Sequence, residues 1–319
     1  MLRYSLMNAQ EFQNKIYAYF LKHKRILPWR YEKDPYKVFV SEVMLQQTPV
    51  ARVLVKYPEF IKRFPTFRSL ADASLRDVFT VWQGMGYNRR AKYLKEAAGI
   101  ITKDKRYEFM FHNILSFPRT RESIELNRSR IKSGMTDSNI LQLINILQML
   151  PGIGQATACA MITYAFNMPT VFVETNIRAV YLFHFFPTSP PAGGFGGTSE
   201  NIGKVSDKEI MDLAKKTLDR KNPRDWYYAL TDYGAMLKRE KKFQNIQSKR
   251  YARQSKFEGS RRQLRGRIIK TLLEYGPNTF EQIDLLLPKE ERLESVLNDL
   301  ETERMIEKNS TGQYCIINS

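Results

Sequence analysis

The chain has 319 residues, with 51 Lys and Arg against 33 Asp and Glu and a formal net charge of +18. This length can bury the core of one large domain or two smaller ones, and two cysteines are too few for a disulfide framework. The charge favours a polyanionic partner, above all nucleic acid, over an anionic membrane, because no single helix joins a basic face to a clean apolar face.

The N-terminal segment, residues 1–20, interrupts its apolar residues with Asn, Gln, Glu and Lys, and no apolar run approaches bilayer length. This pattern is typical of an amphipathic helix and not of a signal peptide. The low cysteine count favours a reducing cytoplasm, with association with the nucleoid if the source is prokaryotic. We expect a monomer with no membrane partner.

Apolar residues recur at helical spacing along most of the chain. The pattern predicts helices over 9–23, 36–47, 75–83, 90–102, 138–149, 156–167, 174–186, 207–218 and 223–237. Asp34-Pro35 and Thr48-Pro49 each predict a helix start, with an N-cap followed by Pro at the first helical position. No alternating strand pattern occurs before the last 20 residues. Residues 1–237 are therefore predicted to form an all-α core, with an insertion at about 104–136 and a flexible loop at 187–204.

A basic connector is predicted at 238–258, and residues 238–270 hold thirteen Lys or Arg against two acids. A run with so large an excess of basic residues favours contact with phosphate. Residues 259–319 then give three helical segments and two short strands around a Thr-Gly turn. This order predicts a winged-helix-like α+β domain.

Residues 148–162, QMLPGIGQATACAMI, predict a helix end, a tight turn and a second helix. Glycines at 152 and 154 allow positive φ and close backbone approach. The turn residues Gly152, Ile153, Gly154 and Gln155 would present N–H groups beside a helix N-terminus, which is an anion site. The pattern predicts a helix-hairpin-helix that grips DNA phosphates without reading sequence. A plain connection between two helices is the alternative.

Glu42 occupies a helix whose other residues are mostly apolar, among them Val38, Phe39, Val43 and Met44. A helix that is apolar nearly all round is buried, so the Glu42 carboxyl should be held protonated, as a general acid is. A structural acid that caps a helix or pairs with a lysine is the alternative.

Glu174 ends a second apolar run and is followed by Thr175 and Asn176 at a predicted helix start. Taken alone, this is ordinary helix N-terminal chemistry. Two acids in apolar settings together with a phosphate-gripping turn favour cleavage of a glycosidic bond, which needs one acid for the leaving group and one carboxylate for the cationic sugar.

These residues lie in blocks that resemble the adenine DNA glycosylases of the MutY type, in the helix-hairpin-helix superfamily that includes endonuclease III. The matching blocks cover about residues 5–240 and are LPWR, DPYKVFVSEVMLQQTPVARV, VWQGMGYNRRAKYLKEAA, LPGIGQATACA, VETNIRAV and DYGAML. The resemblance implies a mainly α fold with a two-lobed glycosylase core. It also implies a partner, double-stranded DNA with a mismatched or damaged base.

The resemblance also assigns roles. It makes Glu42 the general acid for N7 of an extruded adenine, Glu174 the carboxylate that stabilises the sugar cation, and Asn176 its polar support. It makes Gln47 and Tyr87 the residues that insert into the duplex, and it places Trp29 and Arg30 in the lining of the pocket.

Four departures from the family bear on this assignment. The family normally has Asp where Glu174 stands, and Ala156 replaces the lysine of the lyase branch, so no Schiff base can form there. Cys159 and Cys315 cannot bind the family's iron–sulfur cluster, and the three histidines show no metal spacing, so we expect no cofactor. The family's usual C-terminal domain is also replaced.

The resulting prediction is a monofunctional glycosylase that removes adenine opposite 8-oxoguanine or guanine. Two alternatives stay open: a glycosylase for thymine or uracil opposite guanine, which would have no N7 for Glu42 to protonate, and a catalytically inactive DNA-binding homologue.

Overall fold

A computed structural model describes residues 7–108, 110–111, 136–186, 205–240 and 256–317 of the chain. The predicted loop at 187–204, most of the predicted insertion and residues 241–255 of the predicted connector lie outside these residues. The described chain is mainly helical, which confirms the predicted fold class. None of its helices is long and apolar enough to cross a bilayer.

The described residues form fifteen helices and two strands. The first nine helices are α1 (Ala9–His23), α2 (Pro35–Leu45), α3 (Val50–Arg63), α4 (Phe67–Ala71), α5 (Leu75–Trp82), α6 (Arg89–Lys103), α7 (Lys105–Glu108), α8 (Asp137–Gln148) and α9 (Gln155–Phe166). The remaining elements are α10 (Thr175–Phe185), α11 (Asp207–Thr217), α12 (Pro223–Arg239), α13 (Arg261–Tyr275), α14 (Phe280–Leu286), α15 (Leu293–Thr302), β1 (Ile306–Lys308) and β2 (Tyr314–Ile316).

The chain divides into two compact units. The first comprises Met1–Tyr31, Ile140–Ile144 and Gly154–Arg253. Its core is aromatic, and the ring of Phe12 on α1 contacts those of Tyr181, Phe185 and Trp226 at centroid distances of 5.4, 4.9 and 5.7 Å. These contacts pack α1, α10 and α12 around one buried side chain.

The second unit comprises Glu32–Asn139, Asn145–Ile153 and Gln254–Ser319. The C-terminal segment, from residue 254 onward, therefore belongs to the same compact unit as α2–α7. Arg76 of α5 donates hydrogen bonds to the carbonyls of Leu272 and Leu273 on α13, at 3.1 and 2.6 Å. These bonds join α5 to α13.

Residues 261–316 contain the three predicted helices and the predicted pair of strands. β1 and β2 are antiparallel, with Ile306 opposite Ile316, and Gly312 adopts a φ of 76° in their connection. The winged-helix assignment and the domain boundaries at 237 and 258 stay predictions.

The two predicted helix starts had different outcomes. Asp34 is the N-cap of α2 and accepts a hydrogen bond from the Tyr36 N–H, as predicted. The prediction for Thr48 was wrong, because α3 begins at Val50 with Pro49 in the cap position and no side-chain cap. The Thr48 hydroxyl instead accepts a hydrogen bond from Arg90 at 2.8 Å.

Candidate active-site and DNA-contact residues

Glu42 lies on α2 in the second unit. Val38, Phe39, Val43 and Met44 of this helix are each at most 4% exposed, whereas Glu42 itself is only half-buried. The expectation of full burial was therefore too strong. Leu45 and Gln46 follow Glu42 by three and four positions and therefore lie on the same helix face. Both are also partly exposed. The Glu42 side chain thus lies on the open face of an otherwise buried helix.

Gln47 and Tyr87 lie in two separate loops of the second unit and share an unusual backbone. Gln47 has a φ of 54° and Tyr87 a φ of 49°. Left-handed backbone costs about 1–3 kcal/mol for residues other than glycine and is concentrated at functional sites. Gln47 is exposed and Tyr87 half-buried. Both residues that the resemblance assigns to duplex insertion are thus held in strained positions.

Arg90 binds the loop that carries Gln47. Its Nη1 donates to the carbonyls of Val43 and Met44, each at 3.0 Å, and also to that of Gln46. These carbonyls lie at the C-terminal end of α2, where the next helical turn is missing, although that of Val43 also accepts the Gln46 N–H at 3.3 Å. The guanidinium therefore replaces the missing intrahelical donors.

The same guanidinium binds the loop that carries Tyr87. Its Nη2 donates to the carbonyls of Met85 and Gly86 at 3.3 and 3.2 Å, and the group lies 5.3 Å from the centre of the Trp82 ring. Burial lowers the pKa of Arg90 to about 10, so it stays charged at neutral pH. Arg90 was not predicted from the sequence, in which the adjacent pair of arginines after the GMGY turn was the only available signal.

The predicted hairpin turn has the expected backbone at Gly152 but not at Gly154, which is extended with a φ of −86° and where a Cβ would meet no atom within 4 Å. In the second unit, Gly152 has a φ of 74°, and a Cβ there would lie 2.8 Å from Cδ2 of Tyr93, so only glycine fits. The Ile153 N–H donates to the Leu150 carbonyl at 3.2 Å, which closes the turn. In the first unit, Gly154 is the N-cap of α9 and Gln155 its first residue, without a side-chain cap. Gly152, Gly154 and Gln155 are exposed, and Ile153 is buried.

Glu174 is the N-cap of α10 in the first unit, again without a side-chain cap hydrogen bond. Glu174 as a whole is half-buried. Within the described part of the chain, its buried Oε1 atom has no hydrogen-bond partner. A buried carboxylate oxygen in this condition is rare and is expected where a ligand binds.

Lys238 lies beside Glu174 and Asn176. Its Nζ donates to Oδ1 of Asn176 at 2.8 Å. Desolvation by the surrounding protein lowers the pKa of Lys238, while the charge of Glu174 acts in the opposite direction; the side chain is exposed over much of its length, so water moderates the shift. Arg178 instead pairs with Asp207 at 3.0 Å. Among the described residues, Lys238 is therefore a cation close to the predicted catalytic carboxylate.

Helix α12 approaches the start of α10 at Gly234. A Cβ there would lie 2.2 Å from the backbone oxygen of Asn176. A glycine is therefore required for α12 to hold Asn176 and Lys238 together. From the sequence, Gly234 was recognised only as part of the DYGAML block.

Trp29 and Arg30 lie in the first unit and are 4% and 7% exposed. Arg30 donates to both carboxylate oxygens of Asp232, at 2.6 and 2.7 Å, and its guanidinium lies 4.7 Å from the centre of the Tyr228 ring. Arg25 binds the same carboxylate. Arg30 thus has a structural partner, and its place in a pocket lining stays a prediction.

Comparison with known protein families identifies the fold. Residues 40–191 match the model of the HhH-GPD superfamily of base excision DNA repair proteins. The chain belongs to this superfamily. Glu42, Gln47, Tyr87, the hairpin turn and Glu174 all lie within the HhH-GPD match, whereas Trp29, Arg30 and residues 261–317 lie outside it.

Several curated relatives are named adenine DNA glycosylases. One from Buchnera aphidicola is 32% identical over 218 residues, which are 67% of this chain and 49% of the relative. One from Mycobacterium tuberculosis is 36% identical over 164 residues, or 51% of this chain and 44% of the relative. This HhH-GPD chain spans about half the length of the curated relatives it matches. A solved thermostable thymine-DNA glycosylase is 23% identical with a TM-score of 0.49, and covers 72% of this chain and 86% of its own.

Two further positions bear on the chemistry of this HhH-GPD chain. Ala156 is exposed in the first turn of α9, where it offers no amine. Cys159 is buried on the same helix, and burial raises the pKa of its thiol to about 11. The sequence has two cysteines where an iron–sulfur cluster takes four; the absence of a cluster stays a prediction.

Proposed function

We propose that the chain is a monofunctional DNA glycosylase that extrudes adenine opposite 8-oxoguanine or guanine from duplex DNA and hydrolyses its N-glycosidic bond. The observation that carries the proposal is the buried Oε1 of Glu174, which has no hydrogen-bond partner in the described part of the chain. Such an atom is costly to bury unless a ligand provides the missing interaction. A cationic sugar or an attacking water would provide it.

Glu42 is the proton donor of the proposed reaction. It would protonate N7 of the extruded adenine, so that the base leaves as a neutral molecule when the bond between C1′ and N9 breaks. The remaining sugar carries a positive charge, which the Glu174 carboxylate would stabilise. Water then adds to C1′ and gives up a proton through Glu174 to solvent. The products are free adenine and an abasic site.

Gln47 and Tyr87 fill the gap in the base stack in this proposal. Extrusion of a base costs a few kcal/mol of stacking and pairing, which favours proteins that insert side chains in its place. The strained backbone at both residues and the guanidinium of Arg90 that holds both loops support this role. The exposed hairpin turn would bind the phosphates of the same duplex.

The adenine specificity draws on the curated relatives, which are named adenine DNA glycosylases. Adenine also explains an acid at position 42, since thymine and uracil have no N7. A non-catalytic DNA-binding protein is the second candidate. It is favoured by one feature, the extra methylene of Glu174 relative to the family's aspartate, which moves the carboxylate by about a bond length where geometry is tight.

Ala156 supports the monofunctional part of the proposal, because without an amine no covalent sugar adduct can form at this position. Borohydride should therefore trap no enzyme–DNA adduct with the wild-type protein. Ala156→Lys is the matched gain-of-function variant. An efficient adduct with the wild type would contradict this part alone.

The partner of the proposed enzyme is double-stranded DNA with a mismatched or damaged base, and the net charge of +18 supports such a polyanion. We further propose that the protein acts as a monomer in the cytoplasm, or at the nucleoid of a prokaryote, without an iron–sulfur cluster. Iron analysis and the absorption spectrum of the purified protein test the last point.

The deciding experiment is single-turnover excision from three duplexes, with adenine opposite 8-oxoguanine, adenine opposite guanine, and thymine opposite guanine. We expect release of adenine and none of thymine. Glu42→Gln should abolish release while leaving duplex affinity near the wild-type value. Release of thymine alone would indicate a different glycosylase, and tight binding without release of any base would favour the non-catalytic candidate.

A further inference from the structure

The ring of Tyr87 is contacted by two guanidinium groups. Arg90 lies 5.5 Å and Arg262 5.3 Å from its centre, and Arg262 also donates a hydrogen bond to the Tyr87 hydroxyl. Arg90 follows three residues after the tyrosine, whereas Arg262 belongs to the first turn of α13, far along the chain. One of the two guanidinium groups that contact Tyr87 thus comes from the C-terminal segment, which lies outside the residues that match the HhH-GPD superfamily.

Helix α13 is fixed in place by contacts that do not involve Tyr87. Arg76 binds the Leu272 and Leu273 carbonyls, and Glu303, just after α15, pairs with both Arg89 and Arg265. These contacts hold both ends of α13 against α5 and α6. Arg262 is therefore held beside Tyr87 by a helix whose position does not depend on the tyrosine.

A groove of about 1170 Å³ lies beside this contact, within the second unit, and Gln47, Tyr87, Gly152 and Arg262 are among its lining residues. Its charged lining consists of eight Lys or Arg side chains and two acidic ones. This excess of positive charge suits a nucleic acid strand. The Tyr87–Arg262 pair thus stands on a surface whose charge fits DNA.

We propose that Arg262 is a positioning residue for Tyr87, through which the C-terminal segment takes part in base extrusion; this inference rests on the proposed function. A planar guanidinium can stack on an aromatic ring and hydrogen-bond its hydroxyl at the same time, which an ammonium does less well. The contact fixes the direction in which the ring faces the groove. A ring that is already oriented enters a base stack without first losing rotational freedom.

The test compares Arg262→Ala and Arg262→Lys with Arg267→Ala. Arg267 lines the same groove from the same helix and is exposed, so its loss removes the same charge. The probe is a duplex with adenine opposite 8-oxoguanine and 2-aminopurine next to the adenine, whose fluorescence rises when the stack opens. Extrusion is followed in the Glu42→Gln background, and single-turnover excision in the wild-type background.

We expect both Arg262 variants to slow extrusion and excision about tenfold, the size expected for one cation–π contact and one hydrogen bond. Arg267→Ala removes one positive charge from the same groove, so it should lower affinity and the salt dependence of binding, and at saturating protein it should slow extrusion much less than either Arg262 variant does. Tyr87→Phe combined with Arg262→Ala should cost less than the sum of the two single changes.

Equal behaviour of Arg262→Ala and Arg267→Ala would overturn the inference, and so would wild-type rates in Arg262→Lys, because charge alone would then suffice. Failure of the proposed function looks different. A wild-type protein that opens the stack without releasing any base would refute the glycosylase and leave the role of Arg262 measurable by fluorescence. A protein that does neither would overturn both.

Discussion

A Cβ atom on Gly234 would lie 2.2 Å from the backbone oxygen of Asn176 and 2.9 Å from its Cβ. Gly234→Ala must therefore move the start of α10 away from α12 and separate Asn176 from Lys238. We expect a loss of about 1–3 kcal/mol in the free energy of unfolding, together with a large loss of adenine excision, because Glu174 precedes Asn176 by two residues. Urea unfolding and single-turnover excision measure the two effects.

Gly99→Ala is the matched control, since Gly99 is also helical and a Cβ there meets no atom within 4 Å. It should raise the free energy of unfolding by roughly 0.5–1 kcal/mol, because alanine loses less conformational entropy in a helix. Wild-type excision by Gly234→Ala would show that the α10–α12 approach does not position the proposed catalytic carboxylate.

Arg90 binds five backbone carbonyls and one hydroxyl in two loops, which no lysine can do with three donors on one atom. We therefore expect Arg90→Lys to lower the free energy of unfolding by about 1–3 kcal/mol through unsatisfied carbonyls. Excision should fall at least about tenfold, as Gln47 and Tyr87 lose their common support.

Arg63→Lys is the control for Arg90→Lys. Arg63 is 60% exposed in its side chain and pairs with Asp77 on the surface, where such pairs contribute little. Binding to a duplex that already contains an abasic site separates the effects further, since no base must be extruded from it. A uniform loss of affinity for all duplexes would indicate that Arg90 contributes only charge.

His184 gives the first unit a specific sensitivity to acid. It is 6% exposed among aromatic rings, and burial, followed by the charge of Lys15, lowers its pKa to about 4 from 6.5. The unfolded chain then binds the proton more tightly, so the stability contributed by neutral His184 is present above pH 6.5 and is lost as the pH falls to about 4. The loss amounts to about 3 kcal/mol.

Urea unfolding between pH 7 and pH 4 tests this prediction. His184→Phe should lose this part of the pH dependence, while a substitution at the exposed His23 should retain it. An unchanged pH profile in His184→Phe would mean that other groups produce the acid sensitivity.

Helical periodicity was sufficient to predict most of the fold. The apolar spacing located α1, α2, α5, α6 and α8–α12, because each buries one face or nearly all of its surface. It did not give the extent of α3, where the sequence predicted only a start at Thr48-Pro49, nor that of the five-residue α4. Helix α3 buries only Val53, Tyr57 and Phe60, and its Pro58 and several charged residues obscure the period.

Fewer residues of the candidate site than of the fold could be predicted from the sequence, for a physical reason. A carboxylate in an apolar run can be recognised from its neighbours, and Glu42 and Glu174 were proposed in this way. Arg90 acts on backbone carbonyls and Gly234 acts by lacking a side chain, so neither leaves a residue pattern that identifies its partner. The contact of Arg262 with Tyr87 joins residues 175 positions apart, which periodicity cannot relate.

Substitutions in the pair of Arg30 and Asp232 test whether Arg30 stabilises the fold or lines the pocket for the extruded base. The side chains are 3% and 1% exposed. Removal of the Asp232 charge leaves Arg30 buried without its partner, so Asp232→Asn should lower the free energy of unfolding by about 3–5 kcal/mol. Arg30→Met should cost less, because Arg25 still binds the Asp232 carboxylate. The double variant Arg30→Met with Asp232→Leu should lose less than the sum. Below their unfolding temperatures, a purely structural role predicts that all three retain the wild-type excision rate at saturating protein.

The acid dependence of the same pair gives an independent check. Burial acts to raise the pKa of Asp232, but the hydrogen bonds from Arg30 and Arg25 outweigh it, so this pKa lies below its usual value of 3.8. The corresponding stability is present above pH 3.8 and is lost as the pH falls through the folded-state pKa, below the window in which His184 titrates. Asp232→Asn should remove only this lower window. Loss of excision by Arg30→Met, with unfolding no easier than in the wild type, would instead assign Arg30 to the pocket that binds the extruded base.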